Sequence, residues 1–230
     1  MAQAGLNPTV DTPASVGWRD MAADWSTDKQ AFHVPWGKAM MWIFLLSDTF
    51  IFTSFLTGYM NVRMSTAVEW PNPSEVFALS FFGQPVPLIL IAIMTFVLIT
   101  SSGTMALAVN FGYRGDRYRA AALMFVTAAF GAVFVGMQAF EWTKLIMEGV
   151  RPWDNPMGAS QFGASFFMIT GFHGLHVSAG VVYLAVVALK VLRGDYERRG
   201  GNYEIVEIAG LYWHFVDLVW VFIFALFYLW

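Results

Sequence analysis

No cysteine occurs among the 230 residues, which excludes a disulfide framework, a thiolate metal site and a redox dithiol. Charge is scarce too. Asp, Glu, Lys and Arg make up 13% of the chain, about half the share usual in soluble domains. The net charge of −3 offers no basic footprint for a nucleic-acid partner. What fills the chain instead is apolar: 57% hydrophobic residues, with 22 Phe and 10 Trp, the composition of a polytopic membrane protein. Residues 1–30 lack the basic start and apolar run of a secretory signal, so no cleavable signal peptide is expected. With Pro8, Pro13 and four Asp, they read as a polar amino-terminal tail rather than a folded domain.

A bilayer core about 30 Å thick needs roughly 20 apolar residues in helix. Five segments reach that length, at about 39–62, 86–111, 119–143, 162–189 and 205–230. The expected fold is therefore all-α, with residues 31–230 forming one domain, a five-helix transmembrane bundle. Lys and Arg predict its orientation. Ten of them (Arg19, Lys29, Lys38, Arg114, Arg117, Arg119, Lys190, Arg193, Arg198, Arg199) fall on one side, and Arg63, Lys144 and Arg151 on the other. The amino terminus is thus expected in the cytoplasm and Trp230 at the outer face. Small residues at four-residue spacing, Ala128, Ala132 and Gly136 and then Thr170, Gly174 and Ser178, predict close helix contacts. Trp36, Trp70, Trp142, Trp153, Tyr113 and Tyr118 lie near span ends, where interfacial anchors belong.

Ionisable residues inside a span are costly and mark function or internal pairing. Three of the four histidines are of this kind. Asp48 lies about 14 Å into the first span, counting 1.5 Å per residue from Ala39. Two readings stand for it, an internally hydrogen-bonded carboxyl and a proton-handling one. Gln138 and Glu141 share a face near the end of the third span, and Lys144 is spaced to pair with Glu141. His173 and His176 share a face of the fourth span. In the fifth, Glu207, Gly210, His214 and Asp217 share another, expected to meet those histidines. Such a set is either a satisfied network or a proton relay. As a zinc, iron or haem site it is short of ligands, since the Glu-x-x-His pairs of bundle di-iron proteins are missing.

Several stretches closely resemble subunit III of the haem-copper terminal oxidases, typified by cytochrome c oxidase. They are Gly163-Ala-Ser-Phe-Phe167, Thr170-Gly-Phe-His-Gly-Leu-His-Val177 and Tyr212-Trp-His-Phe-Val-Asp-Leu-Val-Trp220, with Glu207 seven residues before His214. Gln138-Ala-Phe-Glu-Trp142 is similar to the family's Gln-x-x-Glu-aromatic motif, and Ser47-Asp48 stands where the family has Ser-Glu or Ser-Asp. The resemblance covers about residues 33–230 and fits the short, five-span bacterial form. It implies a subunit without redox centres in an aerobic respiratory complex that reduces oxygen to water and translocates protons. Such a subunit packs directly on subunit I, beside subunit II and other small subunits, in the bacterial plasma membrane. Haem and copper are expected in the partner subunits and none in this chain, with bound phospholipid besides. The chain would stabilise subunit I and support its proton uptake, without catalytic residues of its own. Asp48, Gln138, Glu141, His173, His176, Glu207, His214 and Asp217 would form its buried polar network, and Lys190 and Arg193 could meet lipid headgroups. Asp48, in place of the glutamate common in cytochrome c oxidases, looks more like the quinol-oxidase branch, and both electron donors stay open. The rival readings are an accessory subunit of a nitric oxide reductase, an independent proton or ion conductor, and a metal-dependent membrane enzyme.

Overall fold

The structure is a computed structural model that describes residues 35–81, 84–86, 88–197 and 203–230. The expected tail at residues 1–30 lies outside them. Two compact units divide the chain, 1–39 and 40–230. Of the first, only residues 35–39 are described, where α1 begins.

Five helices are long and apolar enough to cross a membrane. These are α1 (Trp36–Ser65), α3 (Ile89–Tyr113), α4 (Arg117–Met147), α5 (Ser160–Leu192) and α6 (Glu204–Phe224), the last running on as a π-helical turn, Ala225–Leu229. Most extend a few residues past their apolar runs, because a helix continues until a capping group or a turn residue stops it. At α4, Asp116 Oδ1 accepts from Arg119 N at 3.1 Å and fixes the start. Gly115, at φ +74°, turns the chain back from α3.

The second span starts later than its apolar run suggests, at Ile89 rather than 86. The residues before it form α2 (Pro73–Val76) and a small antiparallel hairpin, β1 (Leu79–Phe81) paired with β2 (Gln84–Val86). Pro85 tolerates extended backbone better than helix interior. Asn72 caps α2 by accepting from Ser74 N, with Pro73 at the first helical position.

Helices α3 and α6 run antiparallel and are joined at four levels. Tyr113 donates to Glu207, Trp213 Nε1 to Ser101 Oγ at 2.9 Å, Ser102 to Asp217, and Trp220 Nε1 to Thr95 Oγ1 at 3.1 Å. Between them Gly210 lets the helices close, since a Cβ there would lie 3.0 Å from Val109 Cγ2. Helix α4 packs antiparallel on both α3, through Thr104 and Thr127 at 2.8 Å, and α5, where Gln138 Nε2 donates to the Thr170 carbonyl at 2.8 Å.

The close-contact glycines are not those that four-residue spacing predicts in α4. Ala132 and Gly136 face outward, and nothing lies within 4 Å of a Cβ built at Gly136. Gly131 makes the contact instead, against Trp213 and Val181. Two of the expected interfacial aromatics also turn inward. Trp70 packs on Tyr59 and Phe162, and Trp142 Nε1 donates to Thr170 Oγ1 at 3.3 Å.

Helix α1 is attached more thinly than the rest. Its buried residues form one stripe, Leu45, Asp48, Phe52 and Tyr59. It meets α5 through Phe52 and Phe55, both 5.3 Å from the Phe172 ring, and the end of α6 through Tyr59, 4.0 Å from the Phe227 ring. Large rings reach across where the two backbones stay apart.

Candidate functional site

The predicted polar residues are brought together in three separate groups rather than one network. The first joins α1 to α5. His176 Nε2 lies 3.2 Å from Asp48 Oδ2, at ion-pair distance, and both side chains are largely buried. His176 Nδ1 faces the Phe172 carbonyl at 2.8 Å. A carbonyl only accepts, so Nδ1 carries a hydrogen. Tyr212 of α6 joins the group by donating to the His176 carbonyl at 2.9 Å. Sequence spacing shows no partner for Asp48, because the partner arrives on another helix.

The second group joins α3 to α6. Ser102 donates its hydroxyl to Asp217 Oδ2, and His214 Nδ1 lies 3.2 Å from the same Ser102 oxygen. The serine has one hydrogen and gives it to Asp217, so His214 Nδ1 is the donor in the second bond. This corrects the expected meeting of His214 and Asp217 with the span-four histidines. Glu207, Gly210, His214 and Asp217 do share a face, but that face is turned to α3. Ser102→Ala is expected to leave Asp217 with both oxygens unbonded and His214 Nδ1 free, at a cost of about 1–3 kcal/mol. Thermal unfolding of the purified complex, compared with wild type, checks it.

The third group closes the far end of α4. Glu141 is 3% exposed and both its oxygens lie 3.2 Å from the Tyr228 hydroxyl of the π-helical turn. Lys144 does not pair with it as spacing predicts. The lysine instead donates to the Ala78 carbonyl and lies 3.5 Å from Glu148. The cause is burial: Glu141 points into the bundle, whereas Lys144, one turn on, reaches the edge. Tyr228→Phe removes the hydroxyl bonded to Glu141, and a loss of about 2 kcal/mol is expected in the same unfolding measurement.

His173 stands apart from all three groups. It is fully buried, stacked on Trp220 at 5.3 Å and met edge-on by Phe134 at 5.9 Å. Neither of its ring nitrogens has a hydrogen-bond partner among the described residues. Gln138 uses its amide nitrogen on Thr170, while its Oε1 is left without a partner. Lys190 and Arg193 are exposed at the end of α5.

Among the described residues, no group of three or more His, Asp or Glu is placed to hold a metal. Ser101, Ser102, Tyr212 and Tyr228 carry much of the polar bonding and escape a search for ionisable residues. Two adjacent serines in the middle of an apolar run were the available signal for α3.

The family model for cytochrome c oxidase subunit III matches residues 11–230 of the chain. Subunit 3 of the cytochrome bo(3) ubiquinol oxidase of Pseudomonas aeruginosa is 32% identical over 188 residues, which is 82% of each chain. Subunit 3 of the cytochrome c oxidase of Alkalihalophilus pseudofirmus is 31% identical over 192 residues, 82% of this chain and 84% of the relative. A probable quinol oxidase subunit 3 from Staphylococcus epidermidis is 32% identical over 192 residues, 84% of this chain and 88% of the relative.

Proposed function

Because the chain belongs to the cytochrome c oxidase subunit III family, we propose that it stabilises the catalytic subunit I of a bacterial haem-copper oxidase and supports proton uptake there. The carrying observation is the family match over residues 11–230, which takes in every polar group described above. In this reading the work of the chain is mechanical and electrostatic. Glu141 and Asp217 hold helices together through Tyr228 and Ser102, and the haem and copper belong to the partner subunits.

The amino terminus would lie in the cytoplasm, on the side carrying most of the Lys and Arg. Lys190 and Arg193 would then meet lipid phosphates of the inner leaflet. Of the three polar groups, the Asp48–His176 pair is best suited to pass a proton, since an imidazole nitrogen and a carboxyl oxygen lie 3.2 Å apart between two helices. Subunit II and small subunits would complete the assembly. Both cytochrome c and quinol oxidase subunits stand among the relatives, so the donor is assigned by neither.

The test is the complex isolated with and without this chain. Complex lacking it is expected to keep its haem spectrum, to take up protons more slowly and to lose activity progressively during turnover. Undiminished activity over many turnovers without the chain would refute the role.

A further inference from the structure

The buried carboxyl of Glu141 is short of donors. An ionised carboxyl has about four acceptor positions, and Tyr228 offers a single hydrogen. Both carboxyl oxygens lie 3.2 Å from the tyrosine oxygen, long for an O–H···O bond, which is usually about 2.7–2.8 Å. One turn on, Lys144 has a hydrogen to spare. Its ammonium carries three; one goes to the Ala78 carbonyl and another faces Glu148 at 3.5 Å.

Glu141 and Lys144 both border a cavity of about 10 Å³, room for one water molecule. It lies where α2, α3 and α4 meet, and its walls include Val76, Phe77, Ile91 and Leu145. From the α2 and α3 sides only apolar side chains reach it. A buried water needs two to four polar partners, and the two side chains of α4 supply an acceptor and a donor.

Size and charge together select the occupant. Anything larger than water is too big. A cation would meet the Lys144 charge and an anion would meet the carboxyl, whereas water satisfies both groups at once. We propose that one water molecule binds here, accepts from Lys144 Nζ, donates to a Glu141 oxygen and exchanges with solvent at the end of the bundle where Lys144 stands. The pairing that sequence spacing suggests for Glu141 and Lys144 is then made through water instead of directly. The carboxyl thereby gains a proton connection to that aqueous edge. The connection ends at Tyr228, whose hydrogen already faces Glu141 and whose ring is packed against Phe77, Phe166 and Phe224. Glu141 is thus a place where a proton is held, and not a step in a path across the bundle. The inference concerns this chain alone and does not rest on its proposed role toward subunit I.

X-ray radiolysis of the purified complex, read by mass spectrometry, oxidises side chains that touch ordered water and so tests the site. Leu145 is fully buried, yet it is expected to be modified; Leu98, as deeply buried but not bordering the cavity, is expected to stay at background. Val76→Ile adds one methylene to the wall and should bring Leu145 down to the level of Leu98. Lys144→Met keeps the length of the side chain, removes the donor and should lower the modification too, should Val76→Ile not assemble. In deoxygenated heavy-oxygen water, mixed in just before exposure, the Leu145 product should carry the heavy isotope. Leu145 at the level of Leu98 in wild type would overturn the proposal. So would undiminished modification in an assembled Val76→Ile complex, or a product with light oxygen alone.

Discussion

Gly131→Val is expected to prevent α4, α5 and α6 from closing, with a loss of about 3 kcal/mol or more in stability. A Cβ at this position would lie 2.4 Å from Trp213 Cη2 and 2.6 Å from Val181 Cγ2. The indole has no room to yield. Trp213 is 1% exposed, its Nε1 is bonded to Ser101 Oγ at 2.9 Å, and Gly180 faces the other edge of its ring at a built-Cβ distance of 3.0 Å. The indole is seated between two glycines on different helices. A methyl group on either pushes it against the other, and a valine also breaks its hydrogen bond. Thermal unfolding and the yield of assembled complex read the effect. Trp213→Leu in the Gly131→Val background should recover part of the loss, because it vacates the contested space. Wild-type stability in Gly131→Val would show that the ring is not seated as described.

The second large effect is expected at the Asp48–His176 pair. Removing one partner of a buried polar pair costs about 1–3 kcal/mol, because the other is left unpaired where water cannot replace it. Here the loss falls on the helix least able to bear it, since α1 is held by one stripe of buried residues. Asp48→Ala and His176→Ala should each destabilise the complex and open α1 to proteolysis. The double variant should lose much less than the sum of the two, which is the signature of direct coupling. Asp48→Asn keeps an acceptor and should fall between wild type and Asp48→Ala. Simple addition of the two single losses would mean that the residues act separately.

Particular residues show how far this architecture was legible in advance. The five helices follow from apolar length alone, which is the most robust signal a membrane chain carries. The shared face of Glu207, Gly210, His214 and Asp217 follows from helical period. The helix it meets does not, because period fixes direction around one axis and says nothing of which neighbour stands there. So His214 was expected against α5 and is found against Ser102 of α3. Glu141 illustrates the same limit more sharply: its partner, Tyr228, is 87 residues away, while the lysine one turn on turns elsewhere. Spacing also misjudged two small residues of α4. Ala132 and Gly136 lie on an outward face of α4, whereas the indispensable glycine is Gly131, one position off that row. Serine and tyrosine hydroxyls went unnoticed because they are cheap to bury once bonded and give no mark in a count of charge. His173 was expected within a polar network and is instead a ring in an aromatic stack.

A subunit without redox centres of its own should copurify with one that has them. Affinity purification of the tagged chain in mild detergent, followed by the visible spectrum and separation of the subunits, tests this most directly. The expected result is a complex with haem absorbance in which all haem and copper stay with the other subunits and none with this one. A chain that purifies alone without haem, or that itself retains metal after separation, would contradict it.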